Sequence, residues 1–223
     1  MVGSNLQALI LDYGEVLSHP QRVEVVRRLA HGLGVSVDQF TAAYLQHRDA
    51  YHINLPASVY WSRVLDSLGV ASPAGQSTIQ WLTEGDADSW TAYRDEVWEL
   101  ARSFRDAGGV TAMLSNGVPE VMARVRSERE LATYFDAVIV SCEVGVAKPD
   151  PTIYEIILSR LRVEPHKALF VDDRIENLEG AARLGLRVLR FFGDGAVNQL
   201  RTVLQASIDT DPSTKRVSQK PIR

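Results

Sequence analysis

From Val110 to Phe191 short apolar runs alternate with helical patterns, and this alternation constrains the fold more than anything else in the chain. The runs Val110–Leu114, Ala137–Val140, Ala168–Val171 and Arg187–Phe191 are too short for helices. Between them lie helix-like segments opened by Pro119, by Asp150–Pro151 as N-cap and first helical residue, and by a Leu178–Leu184 stretch that Gly185 stops. Strands that alternate with helices form a parallel sheet covered on both faces. One more apolar run, Leu6–Leu11, precedes all of these. It is nearly continuous, as a strand buried on both faces should be. Val197–Ile208 is expected to be a final helix, and the polar 209–223 segment a disordered tail.

Between the first strand and the alternating part the pattern is helical throughout. Val23, Val26, Ala30 and Leu33 recur at helical spacing, with Gly32 and Gly34 ending that helix. Ser36 and Gln39 read as a capping box for a second helix carrying Phe40, Ala43, Tyr44 and His47. Pro56 and Ser58 introduce a third, stopped at Gly69, and Ser72–Pro73 a fourth. Asp86–Ala107 reads as one long helix with Val97, Leu100, Ala101 and Phe104 on its apolar face. A helical insertion of this length is too long for a loop. The organisation expected is a core of residues 1–18 and 96–208, with 19–95 as a helical subdomain.

Each core strand is followed by a polar cluster. These are Asp12 in L-D-Y-G-E-V-L, then Ser115–Asn116–Gly117, then Lys148 in V-A-K-P-D-P, then Asp172–Asp173 with Asn177. In a parallel sheet all four clusters lie at one edge, where open α/β sheets keep their chemistry. Three carboxylates cannot share a site ionised without a cation, and a hard oxygen-seeking ion such as Mg²⁺ suits them. Ser115 and Asn116 can hydrogen-bond an anion, and Lys148 adds positive charge. A carboxylate nucleophile, a hydroxyl or amide clamp, a lysine and Mg²⁺ suit phosphoryl transfer.

Other functions are disfavoured. The 223-residue chain carries a net charge of −4, without the basic stripe that nucleic-acid binding needs. No apolar stretch is long enough for a bilayer, and no signal peptide is recognisable. A single cysteine, Cys142, excludes an intrachain disulfide and reads as a buried small hydrophobe. A cytoplasmic protein is expected, monomeric or homodimeric, that binds neither nucleic acid nor membrane.

The four clusters, in this order, resemble the motifs of the haloacid dehalogenase-like hydrolases. The third, V-A-K-P-D-P-T-I-Y, and the fourth, F-V-D-D-R-I-E-N-L-E-G-A, are specific. The resemblance implies a Rossmann-like doubly wound core with an inserted helical cap of the C1 type. It implies a phosphatase acting on a small phosphorylated metabolite, with Asp12 as nucleophile and metal ligand. The Gly14 carbonyl and Asp173 would complete the Mg²⁺ site, with Asp172 nearby. Ser115 and Lys148 would hold the phosphoryl group, and Asn177 would orient the acidic pair.

One position departs from the pattern. Two residues after the nucleophile most family phosphatases carry an aspartate that acts as general acid, and here that residue is Gly14. General acid–base assistance contributes about 10²–10⁴-fold. A D-x-G-x-V form of this motif resembles sugar-phosphate phosphatases and the N-terminal domains of some epoxide hydrolases. Glu15 and His19 are candidates to replace the acid, although one step along an extended segment turns Glu15 to the other side. Two alternatives stand beside the phosphatase: a ligand-binding protein without hydrolysis, and a 2-haloacid dehalogenase. Arg48 and His52, near His47 and Tyr51, are candidates to face the substrate. Tyr60, Trp61, Trp81, Trp90 and Tyr93 are expected to build the cap's own core.

Overall fold

The computed structural model of the chain describes residues 6–70 and 75–208. The expected tail at 209–223 and the Ser72–Pro73 helix start lie outside these residues. Five parallel strands form the sheet: β1 (Ala8–Leu11), β2 (Val110–Ser115), β3 (Ala137–Val140), β4 (Ala168–Asp172) and β5 (Arg187–Arg190). Their order is β3-β2-β1-β4-β5, and a short helix, α8 (Ser141–Val144), directly follows β3. The chain winds outward from β1 to β3, then crosses back to lay β4 on β1's other side. The topological switch point is therefore between β1 and β4, and this is where open α/β sheets bind ligands.

The strands are apolar on both faces because both faces are covered. Leu9, Leu11, Met113 and Val171 belong to one core cluster, whereas Ala8, Ile10, Leu114 and Phe170 belong to the other. The two-residue period of a strand makes this division. The second face is closed by α9 (Pro151–Leu161) and α10 (Ile175–Arg183), through Ile153, Ile157, Leu178 and Ala181. The first face is closed by α6 (Asp95–Asp106), α7 (Pro119–Glu128) and α11 (Ala196–Ile208), through Trp98, Val121 and Leu200. Asp150 caps α9 as expected, accepting from the Thr152 amide at 2.8 Å.

Helices α1 (Val23–Gly32), α2 (Val37–Gln46), α3 (Arg48–His52), α4 (Ala57–Ser67) and α5 (Gln76–Ser89) lie between β1 and α6. No strand occurs among the described residues of this block. The capping box of Ser36 and Gln39 forms at the start of α2. Gly85 lets α5 approach α1 closely, because a Cβ there would stand 2.6 Å from a Leu29 methyl.

Asp86–Ala107 is not one helix. It breaks after Ser89, and α6 begins at Asp95. The backbone between them pairs with the chain leaving β1. His19 N–H donates to Ala92 O at 2.6 Å, Arg94 N–H donates to Leu17 O at 2.9 Å, and Ser18 and Tyr93 form an antiparallel bridge. These long-range bonds replace the helical ones, and no glycine or proline marks the break.

Candidate active site

Register places the first acidic pair. Leu11 is level with Val171 of β4, so Asp12 and Asp172 leave the sheet side by side. Leu11 is also level with Met113, which puts the Leu114 carbonyl on Asp12's other flank. Lys148 joins all three. Its Nζ lies 2.7 Å from Asp12 Oδ1 and 2.8 Å from Asp172 Oδ2, and it donates to Leu114 O at 2.9 Å. Lys148, Asp12 and Asp172 are 4 %, 7 % and 0 % exposed, so this is a buried ion network.

Each member is held by a further partner. Asn116 binds the main chain of Lys148 from both sides: its amide donates to Lys148 O and its Oδ1 accepts from Lys148 N–H, both at 2.8 Å. Asn177 Nδ2 lies 3.0 and 3.1 Å from the two oxygens of Asp172, and the Arg174 amide also donates to Asp172. Gly180 makes room for this loop, since a Cβ there would lie 2.9 Å from Pro149 O.

The oxygens of Asp12 are unequal. Oδ1 takes both the Tyr13 amide, at 2.7 Å, and Lys148. Oδ2 takes no hydrogen bond from the described residues. Asp12, Asp172 and Asp173 each offer an oxygen within 4.8 Å of the others. Burial raises the Asp12 pKa to about 7, with Lys148 opposing and Asp172 and Asp173 adding to the rise. Burial, Asp172 and Glu15 raise Asp173 to about 6. Burial alone would lower the Lys148 pKa, but Asp12 and Asp172 outweigh it and hold the lysine above its ordinary value. The site thus has more carboxylate than Lys148 neutralises. Oxygen donors with unmet demand for positive charge fit a hard divalent ion such as Mg²⁺.

These residues form the floor of a cleft of about 500 Å³ that Asp12, Gly14, Ser115, Asn116, Asp173 and Asn177 line from the core. Helices α2 and α3 supply the roof through Tyr44, Arg48, Asp49 and His52, joined by Gln21 and Trp90. Asp86 organises that roof. It accepts Tyr44 Oη–H and Arg48 Nη1–H, each at 2.7 Å. Gln21 and Trp90 donate to the Tyr44 hydroxyl, and Arg48 lies 4.6 Å from the Tyr44 ring centroid. Sequence reasoning missed Asp86, Tyr44 and Gln21. Asp86 reads as an ordinary residue of a helix, and only the tertiary fold shows its partners.

Tyr60 and Trp61 are fully buried in the helical block, as expected, but Trp90 lines the cleft. Tyr93 packs on Trp98, with the Arg129 guanidinium over its ring. Arg48 and His52 both reach the cleft, whereas His19 is exposed at the chain's exit from the core and does not line it. Glu15 lines the cleft in a left-handed conformation, with φ at 56°. The segment is therefore a turn, and a rule for extended chains does not fix this side chain's direction. Cys142 is 6 % exposed, and burial pushes its thiol up to about 11, as suits a packing residue.

The haloacid dehalogenase-like hydrolase family matches this chain over residues 6–185. The chain belongs to that family. It is 32% identical over 128 residues to bifunctional epoxide hydrolase 2 of Sus scrofa, a match covering 55% of this chain and 23% of the relative. It is 30% identical over 105 residues to (S)-2-haloacid dehalogenase 4A of Burkholderia cepacia, covering 47% and 45% of the two chains. The matches thus span less than half of these curated relatives. Among solved structures, a HAD family enzyme from Bacteroides thetaiotaomicron in complex with magnesium and inorganic phosphate superposes with a TM-score of 0.68. That alignment is 18% identical and covers 85% of this chain and 96% of the other, a likeness of fold. The chain is a HAD-like hydrolase, and no described helix is long and apolar enough to cross a membrane.

Proposed function

We propose that this hydrolase is a Mg²⁺-dependent phosphatase of small phosphorylated metabolites, sugar-phosphate-like, working through an aspartyl-phosphate on Asp12. The observation that carries the reading is the floor geometry. Asp12 keeps Oδ2 unbonded while Lys148 and the Tyr13 amide hold Oδ1. A carboxylate fixed through one oxygen presents the other as a nucleophile.

Ser115 and Lys148 stand where they can hold the phosphoryl oxygens. Asn116 can add a contact, and its main-chain clamp also sets where Lys148 reaches. Asp12, Asp173 and the Gly14 carbonyl would hold Mg²⁺, with Asp172 beside them. Bound there, the ion would neutralise charge on the phosphoryl oxygens. Asn177 orients Asp172. The helical block, residues 19–95, is the cap in this reading, and 1–18 with 96–208 the core.

Hydrolysis of an aryl phosphate with and without Mg²⁺ tests the reading. Turnover that requires the ion and is lost in Asp12→Asn is expected. Absence of turnover by the folded wild type would overturn it. A second reading, a 2-haloacid dehalogenase, draws on the Burkholderia relative and on Arg48, whose guanidinium in the roof could hold a carboxylate. Halide release from a 2-haloacid without added metal would select it.

A further inference from the structure

The cleft has no side chain at Gly14. A Cβ at Gly14 would lie 3.7 Å from the Trp90 ring. Trp90 is held in place, since its carbonyl accepts Tyr13 Oη–H at 2.6 Å and its indole donates to Tyr44. A proton donor for the leaving group has to come from elsewhere.

The groups lining the cleft that could carry a proton are few. Tyr44 already donates to Asp86, and Arg48 stays charged in its ion pair with Asp86. Asp49 is exposed. Glu15 stands on the side of Asp173, where its charge adds to the demand for a cation. His52 differs from all of these. It ends α3, is half-buried, and lines both the main cleft and an adjoining cavity of about 380 Å³ that Lys148 and Asn116 also line. Its ring has no hydrogen-bond partner among the described residues.

We propose that His52 is the group that exchanges a proton with the leaving oxygen and then with the attacking water, from the roof, in place of the side chain absent at Gly14. The inference rests on the phosphatase reading. Asp12 Oδ2 forms a bond to phosphorus as the bond to the leaving oxygen breaks. The leaving oxygen keeps that bond's electron pair and takes the proton of the His52 imidazolium. Water then attacks phosphorus, its proton passes to the neutral ring, and the Asp12–phosphorus bond breaks to regenerate the carboxylate.

The charges around His52 suit this cycle. Arg48 and Asp49 share its own helix, Lys148 and Asp150 line the adjoining cavity from one core loop, and Arg174 and Glu176 line it from the start of α10. Burial, then Arg48, Lys148 and Arg174, push its pKa down to about 3 in the free cleft. A phosphoryl dianion set among those cations offsets their repulsion, so the ring can take up a proton together with the substrate.

The test compares an alkyl phosphate, whose leaving group needs a proton, with a 4-nitrophenyl phosphate, whose leaving group does not. For His52→Gln we expect kcat/KM to fall by about 10²-fold on the alkyl ester and by less than about 3-fold on the aryl ester. Equal losses on both esters, no loss on either, or the same signature in Glu15→Gln instead would overturn the proposal. A second measurement needs no variant. The His52 ring is titrated by NMR with Mg²⁺ present, with and without inorganic phosphate. Its midpoint should move upward when phosphate binds, and a midpoint that stays in place overturns the proposal. A wild type inert toward both esters would refute the phosphatase reading itself, an outcome distinct from these.

Discussion

The floor and the roof of the cleft are both wired by buried charge, but they are built differently. On the floor, Lys148 bridges Asp12 and Asp172; strand register sets the two aspartates, and Asn116 holds the main chain of the lysine. On the roof, Asp86 bridges Tyr44 and Arg48, and these come from three separate helices joined by side-chain contacts rather than by a backbone ladder. The floor has little freedom, because moving Asp12 relative to Asp172 means slipping β1 against β4. The roof can be retuned by single substitutions without disturbing the sheet. A fold of this kind keeps Asp12 and Asp172 fixed in position while the roof of the cleft stays adjustable.

Substitutions can break this contrast, beginning with the largest effect. Asp12→Asn should abolish Mg²⁺-dependent hydrolysis while leaving thermal unfolding nearly unchanged, as measured by a steady-state assay and calorimetry. Lys148→Met should cost about 3–5 kcal/mol in denaturant unfolding, because two buried carboxylates lose their counter-charge together. Asp86→Ala should also be severely destabilising, since it leaves Arg48 buried and unpaired. It should, however, leave Mg²⁺ affinity by calorimetric titration within about 3-fold, because the carboxylates on the floor are untouched. Equal damage to metal binding would show that floor and roof are one network.

Two smaller effects sharpen the comparison. His52 has its folded pKa, about 3, below the unfolded 6.5. Between these values the unfolded chain binds more protons, so stability rises with pH through that window and is fully present above about 6.5. His52→Gln should remove that part of the pH dependence, and melting temperatures of the two proteins should converge at pH 8 and separate at pH 5, with the variant higher. The smallest change is Glu15→Asn. Asparagine tolerates the left-handed region better than glutamate does, so a gain of about 0.5–1 kcal/mol in unfolding free energy is expected.

The same contrast explains what the sequence could tell. Asp12, Ser115 and Asp172 each stand at the end of an apolar strand run and Lys148 lies in the segment after the third strand, so parallel neighbouring strands make their convergence legible. The capping box at Ser36 and the N-cap at Asp150 were legible because they are local. Tyr44, Gln21 and Asp86 were not, because their roles arise from contacts across 23 to 68 residues of chain. The break between α5 and α6 was hidden for the same reason, since its cause is the Leu17–His19 segment rather than any residue of its own. Asn116 shows a finer limit. Its position was readable, but its grip on the Lys148 main chain was not.

The backbone bridge at Ser18 and Tyr93 has a consequence for the architecture as a whole. The chain leaves the sheet and returns to it at a single place, with outgoing and incoming backbones bonded to one another. The helical block is thus a cassette plugged in through one two-pronged connector. Removing it would leave two ends already in register, which a short turn could join. Outgoing and incoming prongs are tied to each other as firmly as two rungs of a sheet, so the block is anchored to the core by a bonded pair rather than by two independent linkers.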